Sequence, residues 1–183
     1  PICLAGANKG AAGEYPAGAL REFLKKRRNN KIGLMGAEPT MREDLADIIR
    51  IVRRSGNIAS LHTNGIKLAD PEYCRELVKA GLNEVHLQFD GLDDGVYRNL
   101  RGSDLLYLKN KALLNLESLG VASDLVVTVV RGVNDLRLHE MLDLAARTGC
   151  VREVFFLGCR YLGNARGLPV ENCVMPDELI DML

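Results

Sequence analysis

The stretch Leu125-Val-Val-Thr-Val-Val130, which runs directly into Arg131-Gly-Val-Asn-Asp135, indicates the fold class more clearly than any other part of the chain. Its β-branched side chains favour an extended strand. Asn134 and Asp135 then precede a helical pattern that continues to about residue 148. The stretch therefore predicts a unit made of a strand, a polar strand end and a helix.

The same unit recurs on both sides of this stretch. Strands are predicted for the short β-branched runs, at 31–36, 57–62, 83–89, 123–130 and 151–157. Helices are predicted for the amphipathic segments, at 17–29, 42–55, 70–81, 93–119 with a break at Gly102, and 134–148. Strands that alternate with helices predict an α/β domain with parallel strands and right-handed crossovers.

Two parallel architectures fit this alternation. An open, doubly wound sheet normally carries a glycine-rich turn of the GxGxxG kind after its first strand, and the sequence has none. A (β/α) barrel places its chemistry at the carboxyl ends of several strands, which is where the unusual residues fall here. We therefore predict a barrel or partial barrel formed by 1–183 as a single domain. Because the pattern begins with a helix and position 1 is not Met, a fragment that lacks its first strand is expected.

Composition and charge limit the classes of function. Apolar residues make up 47% of the 183 residues, and Lys plus Arg equals Asp plus Glu at 24 each. This balance gives no general attraction to nucleic acid or to an anionic membrane. No apolar stretch approaches the roughly 20 residues that a transmembrane helix needs. Five cysteines without a CxxC pair, in a sequence without a secretion signal, predict reduced thiols in a cytoplasmic protein.

Residues suited to ligand binding follow four successive predicted strands. They are Gly36, Ala37, Glu38 and Pro39; Thr63 and Asn64; Gln88 and Asp90; and Arg131. Taken alone, Glu38 is also explained as a helix N-terminal acid and Asn64 as part of a turn. Asp90 is also explained as a helix cap and Arg131 as part of a surface salt bridge. Their joint position at the strand ends predicts the rim of an active site.

These motifs resemble those of the radical S-adenosylmethionine (SAM) superfamily over nearly the whole chain. Pro1-Ile2-Cys3 resembles the end of the family's C-x3-C-x2-C motif, with Cys3 in the place of the third cysteine. Gly36-Ala37-Glu38-Pro39 resembles its Gly-Gly-Glu-Pro motif, with Ala37 where the family has a second glycine. Thr63-Asn64-Gly65 resembles a Thr-Asn-Gly of the same barrel.

The resemblance implies a partial (β/α)6 TIM-like barrel of parallel strands, here with the first strand missing. It also implies a [4Fe–4S] cluster and SAM as cofactors. The implied ligands are Cys3 for the cluster and, for SAM, Gly36, Ala37, Glu38, Pro39, Thr63, Asn64, Gln88, Asp90 and Arg131. In the family, an electron from the cluster cleaves SAM, and the 5′-deoxyadenosyl radical abstracts a hydrogen from the substrate. The electron donor would be a protein such as ferredoxin or flavodoxin.

A narrower resemblance rests on Leu87-Gln-Phe-Asp-Gly91 together with the segment 128–135. It is to a group that includes tetraether lipid synthases and predicted methyltransferases. It implies a small-molecule or lipid substrate, either a lipid chain or a pterin-like molecule, and the sequence does not select between them. Because it carries only one of three cluster cysteines, the chain alone is expected not to hold a stable cluster and to be inactive.

Two other functions fit the same residues. The first is a barrel that binds a nucleotide-like ligand without radical chemistry. The second is a metal-free barrel enzyme that acts on phosphorylated substrates, with Gly163-Asn-Ala-Arg-Gly167 as its phosphate site. Cys150, Cys159 and Cys173 are interpreted as unpaired thiols, with an auxiliary cluster as the alternative. His62, His86 and His139 show no metal-ligand spacing. His62 and His86 lie within predicted strands and are interpreted as structural residues.

Overall fold

The computed structural model describes residues 16–159 and 169–182. The strands are β1 (Lys31–Leu34), β2 (Ile58–Thr63), β3 (Leu82–Gln88), β4 (Ala122–Val129) and β5 (Val151–Gly158). The helices are α1 (Ala17–Leu24), α2 (Leu45–Arg54), α3 (Pro71–Ala80), α4 (Asp94–Arg101), α5 (Leu106–Ser118), α6 (Leu138–Arg147) and α7 (Pro176–Asp181). Short 3-10 turns lie at Pro39–Met41, Lys67–Ala69, Asp135–Arg137 and Val170–Asn172. No helix within these residues has the length and apolar character needed to cross a membrane.

The strand order separates the two predicted architectures. All five strands are parallel and pair in chain order, β1-β2-β3-β4-β5. A doubly wound sheet reverses its strand order at a switch point, whereas a barrel adds each strand beside the previous one. The order therefore confirms the prediction of a partial barrel. It also brings the carboxyl ends of all five strands to one edge of the sheet, which we call the upper edge.

The two faces of the sheet differ in chemistry because successive side chains of a strand point to opposite sides. On the outer face, Leu61, Val85 and Leu125 are completely buried in the apolar core that the sheet shares with the helices. The opposite face, which we call the inner face, carries polar side chains on the three central strands. These are Ser60, His62, Glu84, His86, Gln88, Asp124 and Thr128.

Local signals in the sequence set several of the helix ends. Asp70 caps α3, because its Oδ1 accepts a hydrogen bond from the Glu72 amide at 2.9 Å. Gly102 ends α4 with a φ of +81°, which confirms the predicted break in the segment 93–119. The predicted helix 17–29 was too long. It ends at Leu24, and Asn29 has a left-handed φ of +58° that no helix accommodates.

Candidate functional site

Glu38 joins the ends of the first two strands at the upper edge. Its Oε1 accepts hydrogen bonds from the hydroxyls of Thr40, at 2.7 Å, and Thr63, at 2.6 Å. Its Oε2 accepts a hydrogen bond from the backbone amide of Asn64 at 2.7 Å. The carboxylate also accepts from the Thr40 amide at 3.1 Å, so it caps the 3-10 turn that follows. The structure thus brings together the predicted residues Glu38, Thr63 and Asn64.

The backbone beside Glu38 is open. Gly36 and Ala37 are exposed, and a Cβ added at Gly36 would meet no other atom within 4 Å. The peptide groups of this segment are therefore accessible to a ligand. Pro39, by contrast, is buried at the start of the 3-10 turn, where it fixes the direction of the loop.

The Thr63-Asn64-Gly65 segment is both a turn and a partner of Glu38. The Thr63 hydroxyl accepts a hydrogen bond from the Gly65 amide at 3.0 Å while it donates to Glu38. Gly65 has a φ of +75°, and a Cβ there would lie 2.2 Å from Leu87 Cδ1 on the next strand. Only glycine fits this position, because both the backbone angle and the packing exclude a side chain.

Gln88 and Asp90 form one network at the end of β3. The Gln88 amide donates to Asp90 Oδ2, and the Arg101 guanidinium donates to the same carboxylate from Nε at 2.8 Å and Nη2 at 3.0 Å. The Thr128 backbone amide donates to Asp90 Oδ1 at 3.0 Å. The Asp90 side chain is completely buried, so its contacts are with the protein itself.

These contacts give different roles to Gln88 and Asp90, which were both predicted to bind SAM. Asp90 does not cap the following helix. That function belongs to Asp93, whose Oδ1 accepts from the Gly95 amide. Gln88 is only half-buried and lies at the rim. A primary amide carries two donors and two lone pairs. The hydrogen bonds of Gln88 to Asp90 and Lys109 use one of each, so Gln88 retains capacity for a ligand.

Lys109 is a site residue that the sequence analysis missed. It lies on α5 and is completely buried. Its ammonium donates to the Gln88 carbonyl at 2.8 Å, to Gln88 Oε1 at 2.9 Å and to the Asn64 carbonyl. It thereby ties the end of β2 to the end of β3. A signal was present, because Lys109 takes a place in the apolar stripe of Ala112, Leu113 and Leu116, where a charged residue is rare.

Burial lowers the pKa of Lys109 from 10.5 to about 8. Between these two values the unfolded chain binds more protons than the folded protein, so the free energy of unfolding rises with pH. At 1.36 kcal/mol per pKa unit, the rise from about pH 7 to about pH 10 is about 2–3 kcal/mol. We expect Lys109→Met to remove this rise, measured by urea denaturation at both pH values. Lys111→Met, on the exposed side of α5, is the control and should retain it. An unchanged pH dependence in Lys109→Met would contradict the assignment.

Arg131 and Asn134 follow β4 and have different partners. The Arg131 guanidinium donates to Glu178 of α7 at 2.5 Å, and its side chain is 39% exposed. The salt bridge that was the alternative explanation of Arg131 is therefore present, and its contact with SAM stays a prediction. The buried Asn134 amide donates to the Asp90 carbonyl at 2.8 Å and the Thr128 carbonyl at 2.9 Å. It fixes the end of β3 against the end of β4.

The cysteines give no second metal centre within the described residues. Cys150 and Cys159 are buried, Cys173 is half-buried, and all three thiols are free. In residues 16–159 and 169–182, the one group of three side chains spaced to hold a metal is Glu84, His86 and Asp124, which contains no thiol. Cys3 and the phosphate-site candidate at 163–167 lie outside the described residues.

Comparison with known proteins identifies the family. A family model described as the radical SAM superfamily matches residues 3–145. A 7,8-dihydro-6-hydroxymethylpterin dimethyltransferase of Methanocaldococcus jannaschii is 36% identical over 173 residues, which cover 90% of this chain and 34% of that protein. A probable GTP 3′,8-cyclase of Thermococcus kodakarensis is 32% identical over 127 residues, 69% of this chain and 41% of that protein. The chain thus spans less than half the length of these relatives.

The fold agrees with this result. The solved structure of native anSMEcpe with bound AdoMet and Kp18Cys peptide superposes with a TM-score of 0.64 and covers 79% of this chain and 42% of that one. At 17% identity, this likeness concerns the fold alone. It confirms the predicted α/β partial barrel, and the family match confirms the predicted cofactor classes, a [4Fe–4S] cluster and SAM. The chain belongs to the radical SAM superfamily.

Proposed function

We propose that the upper edge binds SAM and that the parent protein cleaves it reductively to abstract a hydrogen from a small-molecule substrate. The observation that carries this proposal is the convergence of Glu38, Thr63, Asn64 and Gln88 on three adjacent strand ends. Three rim segments held in a fixed geometry suit a ligand that must be oriented at several points.

The residues present fit SAM. The open backbone at Gly36 and Ala37 offers carbonyl acceptors for an ammonium group, with the negative charge of Glu38 beside it. The free donor and acceptor of Gln88 suit a ribose hydroxyl. Asp90 acts on the ligand through Gln88, because its own oxygens are occupied by protein donors. Lys109 positions the Gln88 side-chain amide from the buried side, because its ammonium donates to Gln88 Oε1.

Cys3 would supply one thiolate to the [4Fe–4S] cluster. When bound, the cluster supplies the electron that splits SAM into methionine and a 5′-deoxyadenosyl radical. A reduced protein such as ferredoxin or flavodoxin is the electron donor we expect, in the cytoplasm. The contribution of the described residues is to hold SAM in one orientation and to keep the strand ends rigid.

For the substrate, we propose a heterocycle of the pterin type. The two relatives are named for a pterin and for GTP, whose rings share a 2-amino-4-oxopyrimidine unit. A lipid chain would require an apolar barrel interior, whereas the inner face carries Glu84, His86 and Asp124. The polarity of this face therefore favours the pterin-like substrate over the lipid.

The test of SAM binding at this edge is Glu38→Gln. The amide replaces one acceptor oxygen by a donor, which then faces the Thr40 and Thr63 hydroxyls or the Asn64 amide. The variant also removes the negative charge that we place beside the ammonium group of SAM, and we expect SAM to bind about 10- to 100-fold more weakly. Calorimetric titration of SAM into the anaerobically reconstituted full-length protein measures this change. The exposed Glu43→Gln is the matched control and should bind SAM as the wild type does.

The reaction itself is tested in the same preparation with dithionite as reductant and a dihydropterin as substrate. We expect the wild type to release 5′-deoxyadenosine, detected by chromatography. A protein that holds its cluster and binds SAM but releases none with any pterin substrate would favour the barrel without radical chemistry. Saturable phosphate binding without SAM binding would favour the other alternative, a metal-free barrel enzyme that acts on phosphorylated substrates.

A further inference from the structure

A row of titratable side chains crosses the inner face below the SAM-binding edge. His62, His86, Asp124 and Glu153 are register partners on β2, β3, β4 and β5. His86 lies two residues before Gln88 on the same face, about 6–7 Å below the end of β3. Asp124 lies five residues before the end of β4, about 16–17 Å below it. None of these side chains contacts the residues assigned to SAM in the hydrogen bonds and ion pairs of the described chain.

The centre of this row is a cluster of Glu84, His86 and Asp124, which we call the inner-face cluster. His86 Nε2 lies 3.1 Å from Glu84 Oε1, and His86 Nδ1 lies 3.3 Å from Asp124 Oδ2. Their side chains are between 11% and 14% exposed, so the cluster is mostly buried and a small part of each side chain is accessible. The His62 ring stacks on His86 with centroids 4.1 Å apart and planes within 6°.

The two carboxylates of the cluster differ in how many partners they have. Glu84 Oε1 accepts from Lys31 Nζ at 2.8 Å, from the Ser60 hydroxyl at 2.8 Å and from His86. Asp124 has His86 as its one polar partner among the described residues, at the long distance of 3.3 Å. Burial, the largest cause, raises the pKa of Asp124, as expected for a carboxylate that is not compensated. Asp124 Oδ1 therefore has no polar partner among the described residues, and the carboxylate lies on the inner face of β4.

This arrangement does not suit a metal ion. Each nitrogen of His86 faces a different carboxylate, so one imidazole cannot join both acids on a single ion. Oε1 of Glu84 is also shared by an ammonium, a hydroxyl and the imidazole. Metal binding would have to displace these donors before it gained a ligand.

We propose that Asp124 binds the paired N–H donors of the substrate's 2-amino-4-oxopyrimidine ring and selects substrates that carry this ring. This inference rests on the proposed function and names the residue that recognises the substrate. The ring's N3–H and 2-amino group form a parallel donor pair, which a carboxylate accepts in a two-pronged contact. Phe155, 38% exposed and 6.0 Å from the His86 ring, gives a flat apolar neighbour for the heterocycle.

The position of Asp124 explains how the substrate would be oriented. A ring held in the row of Asp124 directs its opposite end toward the strand ends, where the SAM-binding residues lie. The donor pair is far from the reacting hydrogen, so its binding energy serves to place the substrate. A site built around an acceptor pair also rejects a ring that presents an oxygen in place of the amino group.

The experiment compares two pteridines with the reconstituted full-length protein in the presence of SAM. Pterin carries the 2-amino group, and lumazine carries a 2-oxo group in its place. Quenching of ligand fluorescence gives both dissociation constants. We expect wild type to bind pterin about 10- to 100-fold more tightly than lumazine. The 2-oxo group of lumazine would face an oxygen of the Asp124 carboxylate, and two acceptors repel each other. Equal affinities would overturn the proposal without recourse to any variant.

Asp124→Asn tests the residue. The amide presents one donor and one acceptor, so the preference for pterin over lumazine should fall to within about threefold. Asp143→Asn, an exposed carboxylate on α6, is the control and should keep the wild-type preference. Asp124→Asn that folds, judged by circular dichroism, and keeps the full preference would overturn the proposal. If Asp124→Asn does not fold, the dissociation constants of pterin and lumazine for the wild type decide whether the proposal stands.

The outcomes also separate this inference from the proposed function. A wild type that cleaves SAM but shows no preference for pterin overturns the role of Asp124 and leaves the radical reaction standing. A wild type that selects pterin but never releases 5′-deoxyadenosine supports the role of Asp124 and contradicts the reaction.

Discussion

We expect that replacing Cys3 with alanine reduces 5′-deoxyadenosine formation to background in the full-length protein. A site-differentiated [4Fe–4S] cluster needs three thiolates, and the family resemblance assigns one of them to Cys3. With two thiolates, the cluster has no stable coordination, and the electron for SAM cleavage is lost. Iron and sulfide content, the visible absorption of the cluster and 5′-deoxyadenosine are measured after anaerobic reconstitution.

The control for this variant is Cys173→Ala. Cys173 is half-buried and belongs to the three cysteines for which an auxiliary cluster was the alternative interpretation. Since these thiols form no metal group in the described residues, Cys173→Ala should keep the iron content and activity of the wild type. Wild-type cluster content in Cys3→Ala would show that Cys3 is not a ligand, and a loss of iron in Cys173→Ala would favour the auxiliary cluster.

The second large effect is on stability. We expect Arg101→Met to lower the free energy of unfolding by about 3–5 kcal/mol, because it leaves a buried carboxylate without its cation. Asp90 has no exposed side-chain surface, and Arg101 supplies two of its hydrogen bonds. Urea denaturation at pH 7 measures the loss. The double variant Arg101→Met, Asp90→Asn should recover part of it, since the unpaired charge is then removed.

The same helix provides the control for Arg101. Arg98 of α4 forms a salt bridge with Asp104 at 2.7 Å, but the two side chains are 60% and 62% exposed. An exposed pair of this kind contributes less than about 1 kcal/mol. Arg98→Met should therefore be close to wild type in stability. Equal effects of the two arginine variants would contradict the view that burial makes the Asp90 pair important.

The sequence predicted the fold and the rim because both depend on patterns within single elements. The alternation of strands and helices was enough to predict parallel strands, and parallel strands bring Glu38, Thr63 and Gln88 to one edge. The carboxylate of Glu38 and the Thr63 hydroxyl then meet because their strands are neighbours. No contact between distant segments had to be known in advance.

The sequence did not reveal the contacts that long side chains on the helices make with the strand ends. Lys109 reaches the carbonyls of Asn64 and Gln88, which lie 45 and 21 residues before it in the chain. Asp90 pairs with Arg101 from the next helix, although its position just before a helix suggested a cap. Helical periodicity gives the face on which a residue lies, but not what a long side chain reaches from that face.

The chain-order pairing of the strands has a consequence for how the protein acquires its structure. Each ladder joins strands that are consecutive in the chain, separated by one α-helix or, between β3 and β4, by two, so no strand has to wait for a partner from a remote part of the chain. The connection between paired strands is therefore short, and closing each one costs little conformational entropy. The mean sequence separation of contacting residues is low for a parallel sheet. The sheet can therefore form from its amino-terminal strand onward during synthesis on the ribosome, one strand at a time.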